Sequence, residues 1–129
     1  MDIVKTERAF GVKLASGVSC APGILINVDS SGEGQLGRDD DASAARKAHG
    51  VALTSGAGTK VAGISQYVNC YRSATVYDEN GFGITITPGA VVYMGDTGLY
   101  SASTGDTGFK VGFGVDSNTI FVDIDVSQY

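Results

Sequence analysis

Phe109-Lys110-Val111-Gly112-Phe113, then the turn Asp116-Ser117-Asn118, then Thr119-Ile120-Phe121-Val122-Asp123-Ile124, is the stretch that decides the fold. Apolar and polar residues alternate with period two on both sides of a short polar break, the pattern of a half-buried antiparallel pair. Upstream the same grammar recurs. Val12-Lys13-Leu14, Ile24 to Val28, Lys60 to Ile64, Tyr67 to Tyr71, Ala74 to Tyr77, Gly83 to Thr87 and Ala90 to Met94 are further predicted strands. All are rich in the β-branched and aromatic residues that fit a pleated surface. Asp78-Glu79-Asn80-Gly81, Gly95-Asp96-Thr97-Gly98 and Gly105-Asp106-Thr107-Gly108 supply turn chemistry between them.

Composition agrees. The chain has 129 residues and 19 glycines, against about 9 expected at the usual ~7%. With only two prolines, glycine makes most of the turns. The expectation is an all-β fold, a small β-barrel or β-sandwich, with residues 1–17 as an extended N-terminal arm and 18–129 as a single β domain. One stretch, Asp39 to Ala48, has the charge order of a helix but only alanine to bury, which favours a surface loop or a single helical turn. An internal echo suggests a duplicated strand-turn-strand unit. Pro22-Gly23-Ile24-Leu25-Ile26 answers Pro88-Gly89-Ala90-Val91-Val92, Gly50 to Leu53 answers Gly112 to Val115, and Lys60 to Gln66 answers Phe121 to Gln128 more loosely.

Net charge is −5 and the nine Lys and Arg residues are scattered, so no basic stripe tracks a phosphate backbone or an anionic membrane. Met1 to Arg8 lacks a signal-peptide core, and no segment approaches the ~20 apolar residues of a membrane span. Cys20 and Cys70 sit without a CxxC or a histidine cluster and are expected as free, buried thiols of a reducing cytoplasm, with a single disulfide as the alternative.

Motifs with catalytic colour fail on context. Gly32-Glu33-Gly34-Gln35-Leu36-Gly37 fits a dinucleotide fingerprint, but Arg38-Asp39-Asp40-Asp41 follows it where a pyrophosphate-binding helix should open, so a hairpin tip is expected. Asp-Thr-Gly at Asp96 and Asp106 is the aspartic-protease signature, yet the copies lie ten residues apart inside glycine turns. Ser55 to Lys60 resembles a phosphate loop in the wrong order and reads as a turn. Asp39-Asp40-Asp41, with Asp29 and Glu33, could attract calcium but lacks the EF-hand spacing, leaving a solvated acidic loop as the expectation. His49 is the only histidine and is expected at a strand edge. Six tyrosines could line a sugar site, or simply pack across strands. No catalytic residue, cofactor or metal ligand is predicted.

The order of these pieces resembles the decoration, or capsid-cement, proteins of tailed-bacteriophage heads. The resemblance rests on Ile26-Asn27-Val28-Asp29-Ser30-Ser31-Gly32, Gly50-Val51-Ala52-Leu53, Pro88-Gly89-Ala90-Val91-Val92-Tyr93-Met94-Gly95 and Val111 to Ile124, and covers roughly Val18 to Ile124. It implies a non-enzymatic homotrimer on the outer capsid surface of a virion, bound to the major capsid protein near three-fold or quasi-three-fold positions and bridging capsomers. Similar β modules in head or tail fibres, serving receptor or carbohydrate adhesion, are the alternative. Met1 to Leu14 is the candidate capsid-contact arm, through Ile3, Val4, Lys5, Arg8, Phe10, Val12 and Leu14. Such an arm can bind by adding to a neighbouring sheet, and repetition on a lattice multiplies weak contacts.

Overall fold

A computed structural model describes residues 1–39 and 45–129, with backbone alone for residues 4–8. The strands are β1 (Asp2–Leu14), β2 (Ser19–Cys20), β3 (Leu25–Val28), β4 (Glu33–Leu36), β5 (Gly50–Ala52), β6 (Gly56–Ala57), β7 (Tyr67–Tyr77), β8 (Val91–Met94), β9 (Tyr100–Ser101), β10 (Lys110–Asp116) and β11 (Thr119–Asp123). Two 3-10 turns, Asp96–Gly98 and Val126–Gln128, complete the elements. The fold is all-β. Among the described residues nine strands share one sheet, and β2 pairs with β6 apart from it.

Part of the large sheet closes on itself. β1 pairs with β4, β4 with β3, β3 with β5, β5 with β7, and β7 with β1 again. That five-strand ring is a small barrel filled by Val12, Leu14, Ile26, Ala52, Val68 and Cys70. Beyond the ring, β7 continues into an open sheet through β11, β10, β8 and β9. Its inner face carries Ala74, Val76, Val92, Met94, Val111, Ile120 and Val122, which pack with Leu25, Val51, Phe109 and Ile124 in a second core. Neighbours along a strand point to opposite faces. Leu25 and Val51 therefore serve the second core while Ile26 and Ala52 fill the barrel, and β3 and β5 form the wall between them.

Most predicted strands occur, with revealing differences. Tyr67–Tyr71 and Ala74–Tyr77 are one strand, β7, because Arg72 and Ser73 continue the ladder. Lys60 to Ile64 is a turn: Gly63 has φ +78, and the Ile64 amide donates to the Val61 carbonyl. Gly83 to Thr87 is irregular, with left-handed Gly81 before it and left-handed Gly83 at its start, yet Ile86 is still buried in the second core. In the echo, Pro22-Gly23 and Pro88-Gly89 each form a tight turn with a left-handed glycine, leading to β3 and β8. These pair antiparallel with β5 and β10 respectively. The third element does not correspond, since residues 60–66 are a turn and β11 is a strand.

The segment expected as an arm is extended, but its backbone belongs to the sheet. β1 is in register with β7 from Asp2 opposite Tyr77 to Lys13 opposite Tyr67, with one bulge at Val4. Residues 1–17 are therefore not separate from 18–129, because Val12 and Leu14 are core residues of the barrel. Of the stretch considered for a helical turn, residues 40–44 lie outside the described part. Arg46 pairs in a bridge with Arg38. Asp39, expected in a solvated loop, is instead buried. It accepts hydrogen bonds from the Asp106 and Thr107 amides and the Thr107 hydroxyl, which fixes the Gly105–Gly108 turn. Both cysteines are free, Cys70 buried and Cys20 only half-buried. Burial pushes both thiols up, Cys70 to about 12.

Candidate docking edge and outer-face cleft

Seven residues of the first strand were expected to meet a partner, and the structure divides them. Leu14 and Val12 are 0% and 5% exposed and fill the barrel. Phe10 is half-buried, and its ring covers Gly50 so closely that a Cβ there would lie 2.8 Å from it. Ile3 packs against the second core. These four apolar side chains serve the chain's own interior, which removes Val12 and Leu14 as contact residues. Lys5 stands opposite Thr75, while Val4 and Arg8 occupy the bulge and the interval between Glu7 and Ala9.

What β1 offers outward is backbone. One edge pairs with β7 along its length, whereas the other meets β4 only at Lys13 and Leu14. Among the described residues no strand pairs with that edge from Asp2 to Val12. The Met1 ammonium lies 3.8 Å from the Asp78 carboxylate, which holds the start of the strand.

Beside Phe10 lie Val126 and Tyr129. Tyr129 stacks on His49 with ring centroids 4.4 Å apart and donates its hydroxyl to the Ala48 carbonyl. Gln128 accepts from the Lys110 amide and donates to the Lys110 carbonyl at 2.9 and 2.8 Å, mimicking a strand partner. Phe10, Val28, His49, Arg72, Val126 and Tyr129 line an open apolar hollow of about 240 Å³. His49 accepts the Val28 amide on Nδ1 at 2.9 Å, so its ring is neutral there, and burial holds its pKa below the usual 6.5. The unfolded chain therefore binds the extra proton first as pH falls. Stability is expected to be level above about pH 6.5 and to decline as pH drops through that value toward the folded pKa. Urea midpoints at about pH 7.5 and about pH 5 check this, and His49→Asn should flatten the difference.

A second feature lies on the outer face of the open sheet. Thr75, Phe121, Phe113 and Val91 stand directly opposite one another across β7, β11, β10 and β8. Phe113 is 45% and Val91 41% exposed, and the two phenyl rings lean together with centroids 5.3 Å apart at 35°. Val91, Phe113 and Phe121 form the floor of a shallow cleft of about 510 Å³, bordered by Lys110, Asp123, Asp125, Ser127 and Gln128. Ser73 donates its hydroxyl to Asp123 at 2.7 Å, and the Ser127 amide donates to Asp125 at 2.9 Å. The Ser127 bonds, with Arg72 nearby, hold the Asp125 carboxyl below the usual carboxylate range.

No family model and no curated protein matches the chain.

The motifs weighed for chemistry take structural places. Gly32–Gly37 runs from a hairpin turn into β4, with Asp29 accepting the Gln35 side chain and the Glu33 and Ser31 amides, which lowers its pKa. Asp96–Gly98 is a 3-10 turn with Thr97 at φ 54. In Ser55–Lys60, Gly56–Ala57 is β6 and Thr59 accepts the Gly17 amide. Among the described residues no three His, Cys, Asp or Glu side chains converge as a metal site. No helix among them is long and apolar enough to cross a membrane.

Proposed function

We propose that this protein is a structural component of a tailed-phage virion, decorating the outer capsid surface as a homotrimer, binding the major capsid protein and bridging capsomers without catalysis. The observation that carries the reading is the β1 edge, bare from Asp2 to Val12 among the described strands. A long unpaired edge is a template for another chain's strand, and proteins that do not use one usually blunt it. Main-chain hydrogen bonds from such an edge accept an extended segment of a partner with little demand on its side chains. On a shell, many copies engage neighbouring sites at once, so each edge can be individually weak. The resemblance of Val18 to Ile124 to decoration proteins points the same way.

Deleting residues 2–10 is not a clean test, because it would strip β7 of its partner and expose Cys70 and Val76. Amide hydrogen exchange on the full chain is cleaner. The free protein should exchange quickly at those amides of residues 2–12 that face away from β7, and these should become protected on expanded capsids at saturating stoichiometry. Lack of binding to the shell overturns the function, and binding without protection of β1 overturns the edge as the contact. Sedimentation of the free protein tests the trimer separately.

A further inference from the structure

The outer-face cleft lies on the open sheet, and none of its lining residues belongs to β1. An outer sheet face normally alternates toward polar residues. Across β11, β10 and β8 the same face instead sets Phe121, Phe113 and Val91 in one row. Such exposed apolar side chains rimmed by polar ones offer a floor on which a ligand's apolar face can lie.

The rim says what kind. Lys110, Asp123, Asp125, Ser127 and Gln128 stand in the cleft wall itself, immediately beside the rings. The centre of a protein–protein contact is depleted of charged groups, so this mixture is a poor core for one. The cleft is shallow and open, about 510 Å³, so a ligand would lie along it rather than be enclosed. Three of the polar groups are also fixed in advance. Ser73 orients Asp123, the Ser127 amide orients Asp125, and Gln128 is clamped on both sides to the Lys110 backbone. Preoriented acceptors and a cationic donor beside an apolar floor need a ligand with one apolar face and a rim of hydroxyls.

We propose that this cleft binds a neutral, β-linked pyranose chain. In a sugar ring whose substituents are all equatorial, the axial C–H bonds form a flat apolar face that can lie on Phe113 and Phe121. The equatorial hydroxyls then project sideways, donating to Asp123 and Asp125 and accepting from Lys110. Two carboxylates against one ammonium disfavour an acidic polysaccharide. The protein would thereby add adhesion to a glycan surface to its structural role.

The test is a titration of the isotopically labelled full chain, followed by amide chemical shifts, with cellotetraose, with chitotetraose, and with polygalacturonate as the acidic control. Saturable shifts clustered on Lys110, Phe113, Phe121 and Asp123 are expected with at least one neutral tetrasaccharide, and none with the uronate. Phe113 and Asp123 are exposed, so their variants should fold. Phe113→Ala and Asp123→Ala should each weaken binding about tenfold or more, and Phe113→Tyr should retain it. No shift with either neutral chain, or equal binding of polygalacturonate, overturns the proposal. So does loss of self-association in Phe113→Ala by sedimentation, which would make this face a contact between copies of the chain.

Discussion

Phe109→Ala is expected to lower the free energy of unfolding by about 3–5 kcal/mol, the range for removing a large buried aromatic ring. Phe109 is 2% exposed and the bulkiest of the fully buried side chains. It sits in the second core with Val111, Ile120 and Ile124, and its ring lies near-parallel to Tyr129 at 5.8 Å. Its backbone is fixed on both sides, the amide donating to Thr107 Oγ1 and the carbonyl accepting from the Met94 amide at 2.9 Å. The surroundings can therefore collapse only partly into the space left behind, which places the cost toward the upper end. Denaturant melts should show a lower midpoint with an unchanged slope. A loss below about 1 kcal/mol would mean that the second core does not close around this ring as described.

Gly112→Ala should cost about 3 kcal/mol, for a different reason. The objection is not backbone conformation, since Gly112 is absent from the left-handed glycines. A Cβ there would lie 1.8 Å from the Phe121 carbonyl oxygen and 3.0 Å from the Val122 Cα. Both obstacles are main chain of the paired strand, so neither can swing away. β10 and β11 would have to part where Gly112 faces Val122 and Phe113 faces Phe121. The same denaturation experiment reads the loss, and Gly32→Ala is the control. That turn glycine has φ +79 and open space around it, so only its conformational penalty applies, on the order of 1 kcal/mol. Equal losses at the two positions would show that strand separation is not what Gly112 prevents.

The all-β class was legible because period-two alternation survives in almost every strand, and glycine turns mark most boundaries. The ring closure was not. It depends on pairing β1 with β7 and β4, partners that no local pattern names. Val12 and Leu14 consequently read as arm residues free to meet a partner, although their alternation with Lys13 already fitted a half-buried strand. The aromatic cleft was hidden by a bulge. Phe109, Val111 and Phe113 have the same parity and would share a face in a regular strand. The register between β10 and β8 slips between Lys110 and Gly112, after which Phe113 points outward while Gly114 is buried. Asp39 was invisible for a similar reason, since its partners lie at Asp106 and Thr107, far along the chain. His49 was placed at a strand edge, but its stacking on the last residue of the chain has no sequence signature.

β7, like β3 and β5, serves both hydrophobic interiors: Val68 and Cys70 sit in the first, Ala74 and Val76 in the second. Neither half can melt without tearing the ladder that the other needs, so the molecule should lose its structure in a single step rather than lobe by lobe. In the proposed capsid role, the protein would hold its shape under internal pressure up to one threshold and then fail as a whole.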